Sequence, residues 1–372
     1  MHNISHNISH KTSGKYKTLK SIPKSIPKST LKNKNHVKVI RVGQVIPDDK
    51  VVEMEGNFFD KDHYKTIITD DADIYGINAK GDEILLAKFR RAVIPNELCI
   101  AAFNTLYSFA TKTWNANRGA AAGIVNSAKL PKYVGSIIKR DKFRVYYKGK
   151  DGRIRQDNIG NRVRSNIIGY YDMPDRNKLA AGHKASSGAS CRETAWTRDN
   201  KSGWATAIIP LAKSINDEFA RLVPSQHALQ FARAQQTPKY QIPNTAFSTI
   251  TVNYNYRSAN HKDAGDYEAG FGNLIVLEKS KSMPDGSSGL DGSSGLDSYV
   301  GGLLGFPQYG VAIDVRQGDF CAVNVHEWHC NTEMYGPVAD DETTWGRMTL
   351  VCYLRKNMLS KCTTLTNYLA LN

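Results

Sequence analysis

The stretch SANHKDAGDYEAGFGNLIVLE, residues 258–278, sets a histidine and an aspartate one residue apart, between a strand-like run and a glycine-rich turn. On an extended chain residues i and i+2 point to the same face, so His261 and Asp263 can approach one ion together. An isolated H-x-D is also what a polar strand end looks like, and its surroundings must decide between the two. Just upstream, AFSTITVNYNY (246–256) alternates and is rich in β-branched and aromatic residues, as strands are. Downstream, GNLIVLE (272–278), GVAIDV (310–315), DFCAVNVHEW (319–328) and RMTLVCYL (347–354) read as further strands.

Farther upstream the period changes. ELCIAAFNTLYSFATKTW (97–114) has helical apolar spacing after Pro95 and Asn96. GWATAIIPLAKSINDEFARLV (203–223) reads as a second helix that Pro210 kinks or divides, and SQHALQFARAQQ follows Pro224 as a third. Helices followed by many short strands predict an α+β fold, with a β-sandwich or jelly roll in the C-terminal half braced by helices over about 95–236.

The chain has 372 residues, enough for one large domain or two moderate ones. Its 50 basic residues outweigh 35 acidic ones, for a net charge of +15. Residues 1–50 hold eleven Lys/Arg against Asp48 and Asp49, which puts +9 of that surplus in the first segment. Such a balance suits a polyanionic partner, most simply nucleic acid, although a Lys-rich tail can also merely solubilise. The tandem copies NISHNISH (3–10) and KSIPKSIPKS (20–29) lie in a tail with few large apolar residues, so a disordered basic tail is expected over 1–36. GSSGLDGSSGLD (286–297) is a third local duplication and predicts a flexible Gly/Ser insertion at 280–298. A globular domain then spans 37–372, its jelly-roll core at about 240–358.

No apolar run is long enough to cross a bilayer, and the N-terminus lacks the apolar region of a secretory signal. The six cysteines show no C-x-x-C, so they read as reduced thiols of a nuclear or cytoplasmic protein that is not secreted.

What gives H-x-D weight is RQGDFCAVNVHEWHCNTE (316–333), where a Gly-Asp turn precedes a strand ending in His326 and His329. A further strand opens with Arg347. Two histidines and a carboxylate make the facial triad of non-heme Fe(II) oxygenases, which leaves three coordination positions for a bidentate 2-oxo acid and O2. A guanidinium on a neighbouring strand would clamp the distal carboxylate of that acid. His326 and His329 are three apart and face opposite ways on a regular strand, so one of them is the ligand and the other a packing histidine.

Together NHKDAGD, GNLIVLE, GDFCAVNVHEWHCN and WGRMTLVCYLR resemble the TET/JBP branch of the 2-oxoglutarate- and Fe(II)-dependent dioxygenases, closest to its compact viral, phage and microbial members. The likeness runs from about Thr237 to Arg355. It implies a double-stranded β-helix, a cupin-like jelly roll. Carried over by position, it makes His261, Asp263 and His329 the iron ligands and Arg347 the residue that binds 2-oxoglutarate. Asp266, Tyr353 and Arg355 fall at positions that contact a flipped base. Asn126, in GIVNSAKLPKY, matches more loosely a substrate-side loop. Arg257 is either a further 2-oxoglutarate or phosphate contact or a solvated charge.

The chemistry implied consumes Fe(II)-bound 2-oxoglutarate and O2, with ascorbate as a stimulant. It hydroxylates the methyl group of 5-methylcytosine or thymine in DNA by way of a ferryl species, releasing succinate and CO2, in a monomer. The alternatives are the same chemistry on a protein side chain or free nucleobase, and a DNA-binding module without activity.

Overall fold

The computed structural model describes residues 37–116, 118–126, 137–149, 151–157, 161–174, 189–279, 299–336 and 345–358. The tail at 1–36 and the insertion at 280–298 lie outside the described residues.

Strand numbers here follow the chain. The larger sheet runs, in spatial order, β1 (Lys38–Gly43), β3 (Ala72–Ile77), β4 (Glu83–Arg90), β15 (Phe320–Val323), β11 (Gly272–Glu278), β18 (Arg347–Tyr353), β10 (Thr249–Tyr254), β8 (Ser165–Pro174) and β9 (Ala189–Glu193). All its pairs are antiparallel except β1 with β3. A smaller sheet, β16 (Cys330–Asn331), β13 (Leu304–Phe306), β14 (Val311–Ile313) and β2 (Thr66–Ile68), packs against one face of it. A separate three-stranded sheet is formed by β5 (Ile137–Arg140), β6 (Val145–Lys148) and β7 (Ile154–Asp157), and β12 (Val300–Gly301) pairs with β17 (Met334–Tyr335).

Period-two alternation assigns every side chain of the central strands to one of two cores. From β11, Leu274 and Val276 join Phe306, Val311 and Ile313 of the smaller sheet. Ile275 and Leu277, their neighbours, join the helices on the opposite face. The uninterrupted apolar run of β11 is thus the signature of a strand covered on both faces. In β18, Met348, Leu350 and Cys352 point to the helices, which turns Arg347, Thr349, Val351 and Tyr353 the other way. Ile250, Val252 and Tyr254 of β10 likewise leave Thr251 and Asn253 on the inner side. The fold is α+β with a jelly-roll core of two facing sheets, and on the inner side β10 and β18 contribute the polar Thr251, Asn253, Arg347 and Thr349.

The helices are α1 (Asp48–Glu53), α2 (Asn96–Lys112), α3 (Ala195–Asp199), α4 (Ile209–Leu222) and α5 (Pro224–Gln235). α2 buries Cys99, Ala102, Phe103, Leu106 and Ala110, one stripe at three- and four-residue spacing. α4 buries Leu211, Ala212, Ile215, Phe219 and Leu222 against the same sheet face. Each large side chain so covered stabilises by about 1.5–3 kcal/mol. The break expected at Pro210 takes a specific form: a π-helical turn over Trp204–Ile208 leads into α4, with Pro210 in its first turn. Ile208 and Ile209 are both helical, so the helix runs on through Pro210, and the wider π turn before it accommodates the missing N–H.

Two expectations need correction. The segment 95–236 is not helical throughout, because β5 to β9 lie within it and β8 pairs directly with β10. Cys99, Cys321, Cys330 and Cys352 are free and buried, but Cys191 is disulfide-bonded, so six reduced thiols is wrong at that position. Cys362 lies outside the described residues. Among the described residues no helix is long and apolar enough to cross a membrane.

Candidate metal centre and its cavity

His261 and His329 form an isolated antiparallel bridge, each amide donating to the other's carbonyl at 3.0 Å. That doubled link sets the two imidazoles side by side, ring centroids 4.3 Å apart. The amide of Asp263 donates to the Val325 carbonyl at 3.0 Å, which returns the carboxylate to the same spot. One ligand atom from each of His261, Asp263 and His329 lies within 4.8 Å of the others. Each imidazole also has its Nδ1 on a backbone carbonyl, His261 on Ala259 at 2.8 Å and His329 on Glu327 at 2.9 Å. Those contacts fix Nδ1 as the protonated nitrogen and leave both Nε2 lone pairs facing Asp263.

Electrostatics suits a cation here. Burial, together with the neighbouring His261, pushes the His329 imidazole down to about 4, so it is neutral at physiological pH. Burial also disfavours a charged His261, but the hydrogen bond and charge of Asp263 outweigh it and raise that imidazole. Asp263 is held below the usual carboxylate range: burial opposes this, and His261, His329 and Arg118 together overcome it. Two imidazoles and an ionised carboxylate are the mixed N/O donor set that Fe(II) prefers, so the residues present fit the ion. His326 lies outside the cluster, its Nε2 set 3.2 Å from the Tyr267 carbonyl.

Arg347 is 2% exposed at the start of β18. Its Nη1 donates to the Thr349 hydroxyl at 2.5 Å, while Nε and Nη2 are buried without a partner among the described residues. Two donors side by side on a planar guanidinium match the two oxygens of a carboxylate. The cross-strand neighbour of Arg347, Glu278, is buried as well and accepts the Tyr299 hydroxyl at 3.1 Å; burial raises that carboxyl, and Arg316 and Arg347 work against the rise.

A cavity of about 580 Å³ opens in front of the cluster, within the range of small-molecule sites. His261, Asp263 and His329 line it together with Thr251, Asn253, Thr349, Val351 and Tyr353 of the inner faces. Asp266, Arg355 and Arg118 line it too. Asp266 bridges Arg355 through the main chain, and its Oδ2 is buried with no partner among the described residues. Burial, reinforced by the charge of Asp263, pushes the Asp266 carboxyl well above the usual range. The Arg355 side chain is ion-paired with Asp172. Burial likewise raises the Tyr353 phenol, which stays neutral.

Asn126 is exposed in a loop and does not line the cavity. Arg257 is neither in the cavity nor freely solvated: it pairs with Asp60 at 2.6 Å and Glu333 at 3.2 Å and lies over the Phe58 ring. Arg118 was not apparent from the sequence. It donates from Nε to the Ser165 carbonyl at 3.1 Å and keeps Nη2 buried and unpartnered among the described residues. No motif surrounds it. Thr349 carries a findable signal, since it sits two residues after Arg347 on the same face of a strand.

Comparison with known proteins agrees with this geometry. Residues 178–356 match the Tet/JBP oxygenase domain of the 2OGFeDO superfamily. A bifunctional helicase and thymine dioxygenase JBP2 from Leishmania infantum is 32% identical over 194 residues, 52% of this chain and 15% of the relative. Thymine dioxygenase JBP1-A from Trypanosoma cruzi is 29% identical over 191 residues, 51% of this chain and 19% of the relative. The chain therefore spans less than a fifth of the length of these relatives. Among solved structures, NgTET1 in complex with 5mC DNA is similar at 13% identity and a TM-score of 0.43, over 88% of this chain and 98% of that one. The superfamily implies Fe(II) and 2-oxoglutarate, and the His-Asp-His cluster is a possible metal site. Through residues 178–356, just under half of its length, the chain is similar to the oxygenase domain of the TET/JBP family of 2-oxoglutarate- and Fe(II)-dependent oxygenases.

Proposed function

We propose that the chain hydroxylates the methyl group of a DNA base, thymine before 5-methylcytosine, consuming 2-oxoglutarate and O2 and releasing succinate and CO2. The observation that carries this reading is one cavity lined by a metal-competent His-Asp-His cluster and a buried, partnerless carboxyl, with an open guanidinium on the strand that forms its wall. When bound, Fe(II) with 2-oxoglutarate supplies an oxidant able to attack an unactivated C–H bond. His261, Asp263 and His329 would hold the metal. Arg347 and Thr349 would take the distal carboxylate of 2-oxoglutarate.

The rest of the cavity is suited to a base removed from the stack. Tyr353 offers a buried aromatic ring on which it can lie. Asp266 offers the edge contact. A neutral carboxyl presents one donor and one acceptor, the complement of the N3–H and O4 edge of thymine and equally of the N3 and N4–H2 edge of 5-methylcytosine, whereas an ionised one presents acceptors alone. A metal on Asp263 would remove that neighbour's charge but not the burial of Asp266, which is the larger cause of its raised pKa. What favours thymine is the names of the JBP relatives. Arg118 would add a donor from the opposite wall, and Arg355, held by Asp172, would keep Asp266 in place. The protein would work as a monomer wherever DNA is present, in the nucleus or cytoplasm.

Mass spectrometry of nucleosides digested from DNA, after incubation with Fe(II), 2-oxoglutarate and ascorbate, tests this. The expected result is a hydroxymethyl nucleoside with the wild-type chain and none with Asp263→Ala. Turnover of 2-oxoglutarate with an unchanged nucleoside profile would instead favour a protein side chain or free nucleobase as substrate. No turnover at all from iron-loaded protein would favour a binding module.

A further inference from the structure

We infer that the three-stranded sheet β5–β6–β7 is an arm that grips the phosphate backbone of duplex DNA beside the cavity. This rests on the reading of DNA as substrate and adds the surface that holds it. The turn joining β5 to β6, Asp141 to Arg144, lines the cavity mouth. It is anchored there. Phe143 packs on Gly56, where an added Cβ would come within 2.4 Å of its ring, and the Lys142 ammonium donates to the Glu53 carbonyl at 3.1 Å.

The strands continue from that anchor with a sorted pair of faces. Val145 and Tyr147 of β6 are buried, so Arg144, Tyr146 and Lys148 point the other way. Register sets Lys139 opposite Tyr146 and Ile154 opposite Lys148, which adds Lys139 to the same outer face. Lys139, Arg144 and Lys148 are exposed and have no ion pair among the described residues. Like charges collected on one sheet face repel, and the acidic group described beside them, the Asp141 carboxylate that accepts the Tyr146 hydroxyl at 3.4 Å, is one against three. A polyanion would offset them. From Arg144 to Lys148 the strand covers about 13 Å at ~3.3 Å per residue. At ~3.4 Å of axis per phosphate on one DNA strand, that spans about four phosphates. Backbone contacts of this kind carry no sequence information, but they fix where along the duplex a base is presented to the cavity.

The test uses the full chain and a fluorescein-labelled duplex, with anisotropy titrations over a salt series. Three proteins are compared: wild type, Lys139→Ala/Arg144→Ala/Lys148→Ala, and a control, Lys80→Ala/Lys112→Ala/Lys213→Ala, which removes equal charge from exposed positions elsewhere. At ~0.9 per phosphate contact, the arm variant should lose about 2–3 from the slope of log K against log salt, and the control should keep the wild-type slope. A wild-type slope in the arm variant, with DNA still oxidised, overturns the arm alone. Absence of salt-dependent duplex binding by the wild type overturns the arm together with the DNA reading.

Discussion

Asp266 and Arg347 are buried groups with opposite needs. Arg347 is a permanent cation with two donors open among the described residues, and Glu278 lies across the strand pair from it. Asp266 can shed its charge, and burial drives it to do so. The difference makes Asp266 the residue whose chemistry can be separated from its charge. Asparagine keeps one donor and one acceptor at that position, whereas alanine keeps neither. Asp266→Asn is therefore expected to retain most of kcat/KM on thymine-containing DNA. Asp266→Ala should lose about 10- to 100-fold, the effect of ~1–3 kcal/mol for an unpaired buried partner. Steady-state kinetics on both variants checks this, and equal losses would mean that the carboxyl acts through its charge.

At the scale of elements, the two faces of β18 divide stability from binding. Leu350 is fully buried among the helix-facing residues, while Val351 beside it lines the cavity. Leu350→Ala should lower unfolding free energy in urea by about 2–5 kcal/mol. Val351→Ala should cost under about 1.5 kcal/mol and change the KM for 2-oxoglutarate or DNA instead. Comparable destabilisation from both would contradict the face assignment. This two-faced logic was legible in the sequence for β10, β11 and β18, because alternation and unbroken apolar runs are local signals. The H-x-D spacing was legible for the same reason, whereas the choice of His329 over His326 rested on the family resemblance and not on a local signal. β8 was not, since SNIIGYYDMP carries a glycine and a proline and becomes a strand by pairing with β10. Gly169 shows why its glycine is there: φ is +89°, and an added Cβ would meet the Ser248 carbonyl at 2.7 Å. Arg118 was illegible because an arginine reaches a cavity through tertiary placement alone.

For the molecule as a whole, metal and proton compete for one nitrogen. The raised pKa of His261 means that, as pH falls through that value, a proton occupies the nitrogen a metal would use. His329, held to about 4, stays available throughout. Divalent-metal affinity should thus fall about tenfold per pH unit on the acid side, removing up to ~1.4 kcal/mol of metal-linked stability per unit. Without metal the signs differ. The His261–Asp263 pair stabilises below pH 6.5 and fades as pH rises, while the depressed His329 costs stability below pH 6.5, so the two partly offset. Melting curves with and without Mn(II) should separate more at pH 7.5 than at pH 5.5, and a constant separation would contradict the assignment of His261 as a ligand.

His261 and His329 are tied to each other by main-chain hydrogen bonds in both directions, and so they find their spacing without help from an ion. A chain built this way can complete its synthesis empty and be charged afterwards. Which divalent ion it carries then depends on what the surroundings supply, since a ready-made seat of two imidazoles and a carboxylate also accepts ions other than iron. Idle protein filled with the wrong metal would be a matter of nutrition and not of misfolding, and it would be curable by exchange.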